Sequence, residues 1–252
     1  MTDILLSGCN GKMGRVITAC VAARDDCRIV AGIDKNTAQG ADFPVFETPD
    51  AVDVKADVII DFSNPSAVTP LLDYACEHGI PAVIATTGLS DEQVAYLKKA
   101  AERIPVFFSA NMSLGVNLLL ELSKVAARVL GSSFDIEIVE MHHNQKLDAP
   151  SGTALMLADG ISQEVDHAMR YEYDRHSKRC KRDRNEIGIH AVRGGTIVGE
   201  HQVIFAGHDE IVTLSHSARS KEIFATGSIN AAVYLHGKPA GLYCMADLVE
   251  GK

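Results

Sequence analysis

The chain lacks paired cysteines. Cys9, Cys20, Cys27, Cys76, Cys180 and Cys244 are scattered along 252 residues, with no Cys-x-x-Cys pair and no framework spacing. That distribution supports neither a disulfide scaffold nor a structural zinc site, and it fits a reducing compartment. The chain also lacks the uninterrupted apolar stretch of about 18 residues that a membrane span requires. Its first apolar run, Ile4-Leu5-Leu6, is too short for the core of a signal peptide. A cytoplasmic location with no membrane partner is therefore expected. Cations are in deficit: 24 Lys and Arg against 33 Asp and Glu leave a formal net charge of -9, which argues against a general nucleic-acid binder. There is no internal repeat and no low-complexity tract.

What is present is a chain 46% hydrophobic, long enough for one large domain or two smaller ones. Up to about Asn111, short apolar runs alternate with helical patterns. Ile4-Leu5-Leu6, Arg28 to Ile33, Val58-Ile59-Ile60, Ala82-Val83-Ile84 and Val106-Phe107-Phe108 each end in small or polar residues. Unbroken rather than alternating apolar strands predict burial on both faces, hence a parallel sheet flanked by helices. From Ile187 to Ser217 strand patterns follow one another directly. The expected fold class is α/β: a Rossmann-like parallel-sheet domain over 1–113 plus 219–252, and a second α+β domain over 114–218. Between them, Val116 to Leu130 reads as an amphipathic helix, with Leu118, Leu122, Val125 and Val129 on one stripe and Gly131 as its stop.

Gly8, Gly11 and Gly14 lie between the first strand and a helix, where glycine lets backbone approach a pyrophosphate and the helix N-terminus neutralises it. The spacing is Gly-x-x-Gly-x-x-Gly, with Asn10 in the middle. Asp34 closes the second strand about 20 residues on, where a carboxylate bonds a ribose 2′-hydroxyl. Lys35 beside it can pair with a 2′-phosphate, so NADH and NADPH both remain open. Cys9 reads as a packing residue whose place near a helix N-terminus can lower its pKa.

The stretch Glu140-Met141-His142-His143-Asn144-Gln145-Lys146-Leu147-Asp148-Ala149-Pro150-Ser151-Gly152-Thr153-Ala154 gathers two imidazoles, an ammonium, a carboxylate and a Ser-Gly-Thr turn that opens a helix. The turn has the form of an anion cradle suited to a substrate carboxylate. His142 or His143 can exchange a proton near neutral pH, and Lys146 can act as a second acid or as a charge partner. A metal site from His142, His143 and Asp148 is disfavoured, because neighbouring strand residues point to opposite faces. The basic run Arg170 to Arg184 reads as a solvated loop, its alternative being an RNA contact in a protein that uses the nucleotide only as a ligand.

The glycine turn, Asp61-Phe62-Ser63, Thr86-Thr87-Gly88, Asn111 with Gly115-Val116-Asn117, and the Glu140 to Ala154 block together resemble the dihydrodipicolinate reductase family. Arg193 to His201 and Gly241-Leu242-Tyr243 match it in the same order, so the resemblance spans nearly the whole chain. It implies reduction of a cyclic dicarboxylate imine to tetrahydrodipicolinate with NADH or NADPH, in lysine and diaminopimelate synthesis, by a homotetramer. It implies His142 as proton donor or acceptor and Lys146 as proton donor. His143, Ser151, Gly152 and Thr153 would contact the substrate carboxylates. The cofactor would lie on Gly8, Cys9, Asn10, Gly11, Lys12, Met13, Asp34 and Lys35, with Ala85, Thr86, Thr87, Ser109, Ala110, Asn111 and Met112 near the nicotinamide. Two positions depart from the pattern: Ala85 stands where the family has glycine, and Met112 where it has an aromatic residue.

Overall fold

The computed structural model describes residues 1–38 and 41–251. The chain folds as two compact units, Met1–Leu114 with Lys221–Lys252, and Gly115–Ser220.

In the first unit, β1 (Thr2–Ser7), β2 (Cys27–Ile33), β3 (Val45–Phe46), β4 (Val58–Asp61), β5 (Ala82–Ile84), β6 (Pro105–Phe108) and β12 (Gly241–Tyr243) form one seven-stranded sheet. All its pairings are parallel, in the order β12-β6-β5-β4-β1-β2-β3. The strands are unbroken apolar runs because both faces are covered. Along β4, Ile59 packs on one face and Val58 and Ile60 on the other, all with no exposed surface. Helices α2 (Pro65–His78) and α3 (Asp91–Ala100) cover the first face with Leu71, Leu72 and Leu97. Helices α1 (Lys12–Ala22) and α6 (Glu222–Leu235) cover the second with Ile17, Ala225, Ile229 and Ala232. The chain runs outward from β1 to β3 and then returns to β4 on the other side of β1. The carboxyl ends of β1 and β4 therefore flank the topological switch point where such sheets bind ligands.

The second unit holds α4 (Leu114–Leu130), β7 (Asp135–His142), α5 (Gly152–Ser162), β8 (Arg170–Glu172), β9 (Glu186–Arg193), β10 (Gly199–Ala206) and β11 (Ile211–Ala218). Its sheet has the order β11-β10-β7-β9-β8, with β7 parallel to β9 and antiparallel to β10. One face is packed: Leu119, Ala127, Leu157 and Ile161 of the two helices meet Ile136, Ile138, Ile189, Val203 and Phe205. The other face is open, and β10 alternates buried and half-buried residues along its whole length.

Two expectations change on contact with the fold. The α4 stripe of Leu118, Leu122, Val125 and Val129 is the exposed one, at 48%, 46%, 46% and 77%. The helix instead buries Val116, Leu119, Ser123 and Ala127. In the basic run, Arg182 is anchored rather than solvated. Its guanidinium donates to Glu137, to Asp135 and to the Ile136 and Glu186 carbonyls, while Arg170 and Arg175 pair with Glu186 and Lys178 with Glu172.

Candidate functional site

Gly8 follows β1 at φ +77, and a Cβ there would lie 2.4 Å from the Phe62 carbonyl oxygen. A Cβ on Gly14 would lie 2.2 Å from the Gly8 carbonyl oxygen, so the turn closes onto its own helix only without side chains. Helix α1 starts at Gly11 with no side-chain cap, whereas α2 and α3 are capped by Asn64 and Ser90. An uncapped N-terminus behind a glycine turn suits an anionic ligand, and here it opens on a cavity. Asp34 steadies the turn: its carboxylate accepts from the Asn10 N–H at 2.9 Å and from the Asn36 N–H at 3.0 Å. Each oxygen keeps a further acceptor position for a hydroxyl. Cys9 lies beneath the turn, 3% exposed, against Gly32. Burial, reinforced by Asp34, pushes its thiol up to about 11, so the helix terminus does not lower it.

Two cavities meet at Phe62 and Ser63. One of about 680 Å³ is lined by Gly8, Gly11, Asp34, Lys35, Glu47 and Asp50 among others. The other, of about 630 Å³, is lined by Met13, Ala85, Thr86, Thr87 and the run Ser109, Ala110, Asn111, Met112, with Lys221 and Phe224. The expected cofactor residues thus line these two cavities, apart from Cys9 below the turn, Asn10 on it and Lys12 at the first position of α1. Asp61, with no exposed surface, organises the junction. It accepts from the Ser63 hydroxyl at 2.5 Å and the Thr86 hydroxyl at 2.6 Å, and burial raises its pKa. Met112 is 5% exposed, its thioether joining the core beside Phe107 and Ile229. Its carbonyl comes so close to α6 that only glycine fits at Gly227.

In the second unit, β7 changes character along one face. Ile136 and Ile138 are core; Glu140 and His142, the next residues on that face, are not apolar. Glu140 has no exposed surface, yet both its oxygens are filled. Oε2 accepts from His142 Nδ1 at 2.6 Å and Arg193 Nη1 at 2.8 Å; Oε1 accepts from Arg193 Nη2 at 2.7 Å and the Ser151 N–H at 2.9 Å. Burial pushes this carboxyl up, but the donors outweigh it and hold the pKa below the ordinary value. Ser151 caps α5, its hydroxyl accepting from the Ala154 N–H at 3.2 Å and meeting His201 Nε2 at 3.2 Å. His201 is 3% exposed, its ring 5.2 Å from that of His142, and burial followed by His142 lowers its pKa to about 4. Lys146 pairs with Asp148 at 2.9 Å, which holds the Asp148 carboxyl below its usual range. His143 Nδ1 is buried with no partner among the described residues. A Cβ at Gly152 would meet no other described residue within 4 Å, so the space beside Gly152 at the start of α5 is open. No group of three or more His, Cys, Asp or Glu among the described residues is placed to hold a metal.

Reading the residues for chemistry gave no role to Glu140, Arg193 or His201. The signal was there for Glu140, two positions before His142 in a period-two strand. Arg193 and His201 reach it by pairing: Arg193 lies opposite His142 in register and His201 opposite Glu140, which only the sheet reveals.

Fold and turn define a pyridine-nucleotide oxidoreductase with a Rossmann-type sheet, and the comparisons narrow that class. Residues 2–112 match the family described as "Dihydrodipicolinate reductase, N-terminus" and residues 115–249 the one described as "Dihydrodipicolinate reductase, C-terminus". The 4-hydroxy-tetrahydrodipicolinate reductase of Caldanaerobacter subterraneus subsp. tengcongensis is 53% identical over 250 residues, 99% of each chain. That of Clostridium tetani is 50% identical over 247 residues, 97% of this chain and 96% of the other. The dipicolinate-bound dihydrodipicolinate reductase from Paenisporosarcina sp. TG-14 has a TM-score of 0.81 at 28% identity, covering 97% of both chains. The chain belongs to the dihydrodipicolinate reductase family. The matched C-terminal part is continuous in sequence but divided in space, since α6, β12 and α7 (Met245–Glu250) build the first unit.

Proposed function

We propose that the chain reduces 4-hydroxy-tetrahydrodipicolinate, or the dihydrodipicolinate formed from it by water loss, to tetrahydrodipicolinate on the route to diaminopimelate and lysine. It does so as a cytoplasmic homotetramer. The observation that carries the reading is the second-unit cluster: His142 held by Glu140, followed by Lys146 on the loop that leads into the Ser151-Gly152-Thr153 start of α5.

NADH or NADPH supplies the hydride, and the cavities of the first unit fit it: Asp34 and Lys35 at the ribose end, Thr86, Thr87 and Ser109 to Met112 at the nicotinamide end. The Gly8 to Met13 turn takes the pyrophosphate on backbone N–H groups. On the substrate, the α5 N-terminus with Thr153 binds one carboxylate. His143, whose buried Nδ1 has no partner among the described residues, hydrogen-bonds a carboxylate, and Lys146 pairs with it through a charge-assisted contact. Lys146 also offsets the negative charge that builds on the ring as it accepts hydride at one carbon. His142 or Lys146 delivers the proton to the neighbouring atom. The open face of the second sheet and the exposed α4 stripe support self-association.

Purified protein, given the condensation product of pyruvate and aspartate semialdehyde, should oxidise NADH or NADPH. His142→Ala and Lys146→Ala should each lower kcat by about 100-fold or more with nucleotide affinity retained. Oxidation of neither nucleotide by the wild-type protein would overturn the proposal.

A further inference from the structure

We infer that Glu140, clamped by Arg193, is a positioning residue that fixes the tautomer of His142 and couples it to the carboxylate cradle at Ser151; this rests on the reductase reading above. The inference follows from counting donors and acceptors. Four N–H groups converge on one carboxylate: His142 Nδ1, both terminal nitrogens of Arg193 and the Ser151 backbone. An ionised carboxylate only accepts, and Arg193 only donates. Nδ1 of His142 can therefore hold its 2.6 Å bond to Oε2 only as the donor. The proton on Nδ1 is structural, and the exchangeable position is Nε2, on the far side of the ring where a Cβ on Gly199 would approach at 3.1 Å. Removing water from Glu140 makes each bond matter more, because no solvent can replace a lost partner.

The same carboxylate reaches the substrate cradle. Oε1 holds the Ser151 N–H, so the residue that orients the imidazole on β7 also anchors the first turn of α5. Arg193 adds a third tie, donating to the Asp148 carbonyl at 2.7 Å and so fixing the loop that carries Lys146. The titratable and charged groups around the pair are Arg193 from β9, His201 from β10, and Lys146 and Asp148 on the loop after β7. One carboxylate thus keeps the proton-transfer group, the ammonium and the anion-binding turn in fixed relation.

Glu140→Gln keeps the shape but places an amide NH2 where one oxygen stood. Either orientation sets N–H against N–H. With the amide facing β7, His142 must accept at Nδ1 and move its proton to Nε2, the wrong tautomer. The expected result is a kcat about 100-fold lower or more, while the nucleotide Kd, set in the other unit, stays within about twofold. Ring 15N NMR should show the His142 proton moved from Nδ1, where the wild-type carboxylate holds it, to Nε2. A kcat within about threefold of wild type, or a large loss with the proton still on Nδ1, would overturn the inference. Should the variant fail to fold, neutron diffraction from deuterium-exchanged wild-type crystals reads the same point directly. A deuteron on His142 Nδ1 facing Glu140 is expected, and a bare Nδ1 would overturn it. Wild-type turnover, measured alongside, tests the reductase reading separately, because the tautomer is read whether or not the substrate is the right one.

Discussion

A methyl group added at Gly14 would sit 2.2 Å from the backbone oxygen of Gly8, and one added at Gly152 would meet nothing within 4 Å among the described residues beyond its own helix turn. The two glycines therefore serve different masters. Gly14 is required by the protein, because the turn and its helix close on each other there; Gly152 is required only by whatever approaches α5 from outside. Gly14→Ala should force the turn open, raising the nucleotide Kd about tenfold or more and lowering the melting temperature. Gly152→Ala should leave the melting temperature and nucleotide Kd essentially unchanged while raising KM for the cyclic dicarboxylate. Equal loss of folded structure in both, seen by circular dichroism, would remove the distinction. The turn was legible in the sequence, since strand, glycines, helix and Asp34 fall in order. What the letters could not separate was which glycine faces its own chain and which faces a ligand.

At the scale of elements, strand β10 brings a histidine into a place where charge is costly. His201 lies on the buried face between β7 and β11, with His216 opposite it in register, and burial lowers the pKa of both. The folded state therefore binds the His201 proton less readily than the unfolded chain does. Stability is intact above pH 6.5, falls as pH drops from 6.5 towards about 4, and loses nothing more from this group below that. The full loss is at most about 3 kcal/mol. Glu140, whose pKa is lowered, acts in a separate window below its ordinary 4.5. Urea unfolding of His201→Gln should show a shallower fall in stability between pH 7 and pH 5 than wild type; an unchanged slope would assign the acid sensitivity elsewhere. Period two places Glu140 with His142, but it cannot place β10 beside β7, so His201 was invisible until the strands paired. Short edge strands escaped for a related reason: β3, β8 and β12 have two or three residues and lack the unbroken apolar run that marks the equally short but central β5, and they exist because a neighbouring strand pairs with them. On α4 the stripe was legible but its side was not: Leu119 and Ala127 fill the sheet side while the larger stripe stays outside.

For the whole molecule, that outward stripe bears on assembly. A monomer leaves Leu118, Leu122, Val125 and Val129 of α4 in water, and on the open sheet face Val192 at 44% and Ile211 at 68%: large apolar side chains on two separate surfaces that contact with a second copy would cover. A closed tetramer of dihedral symmetry needs two different self-complementary surfaces on each chain. The second unit offers two: the α4 stripe and the open face of the sheet that carries Ile204 and Ile211. If each surface makes one of the two contacts, light scattering should give a mass four times that of the 27.1 kDa chain. Leu122→Lys with Val125→Lys should then halve that mass, as should Ile204→Lys with Ile211→Lys, and the combined variant should leave single chains. Nucleotide affinity should survive in all of them, because the glycine turn lies in the other unit. A wild-type protein that runs as a single chain, or a tetramer indifferent to both pairs of substitutions, would show that these surfaces are not where copies meet.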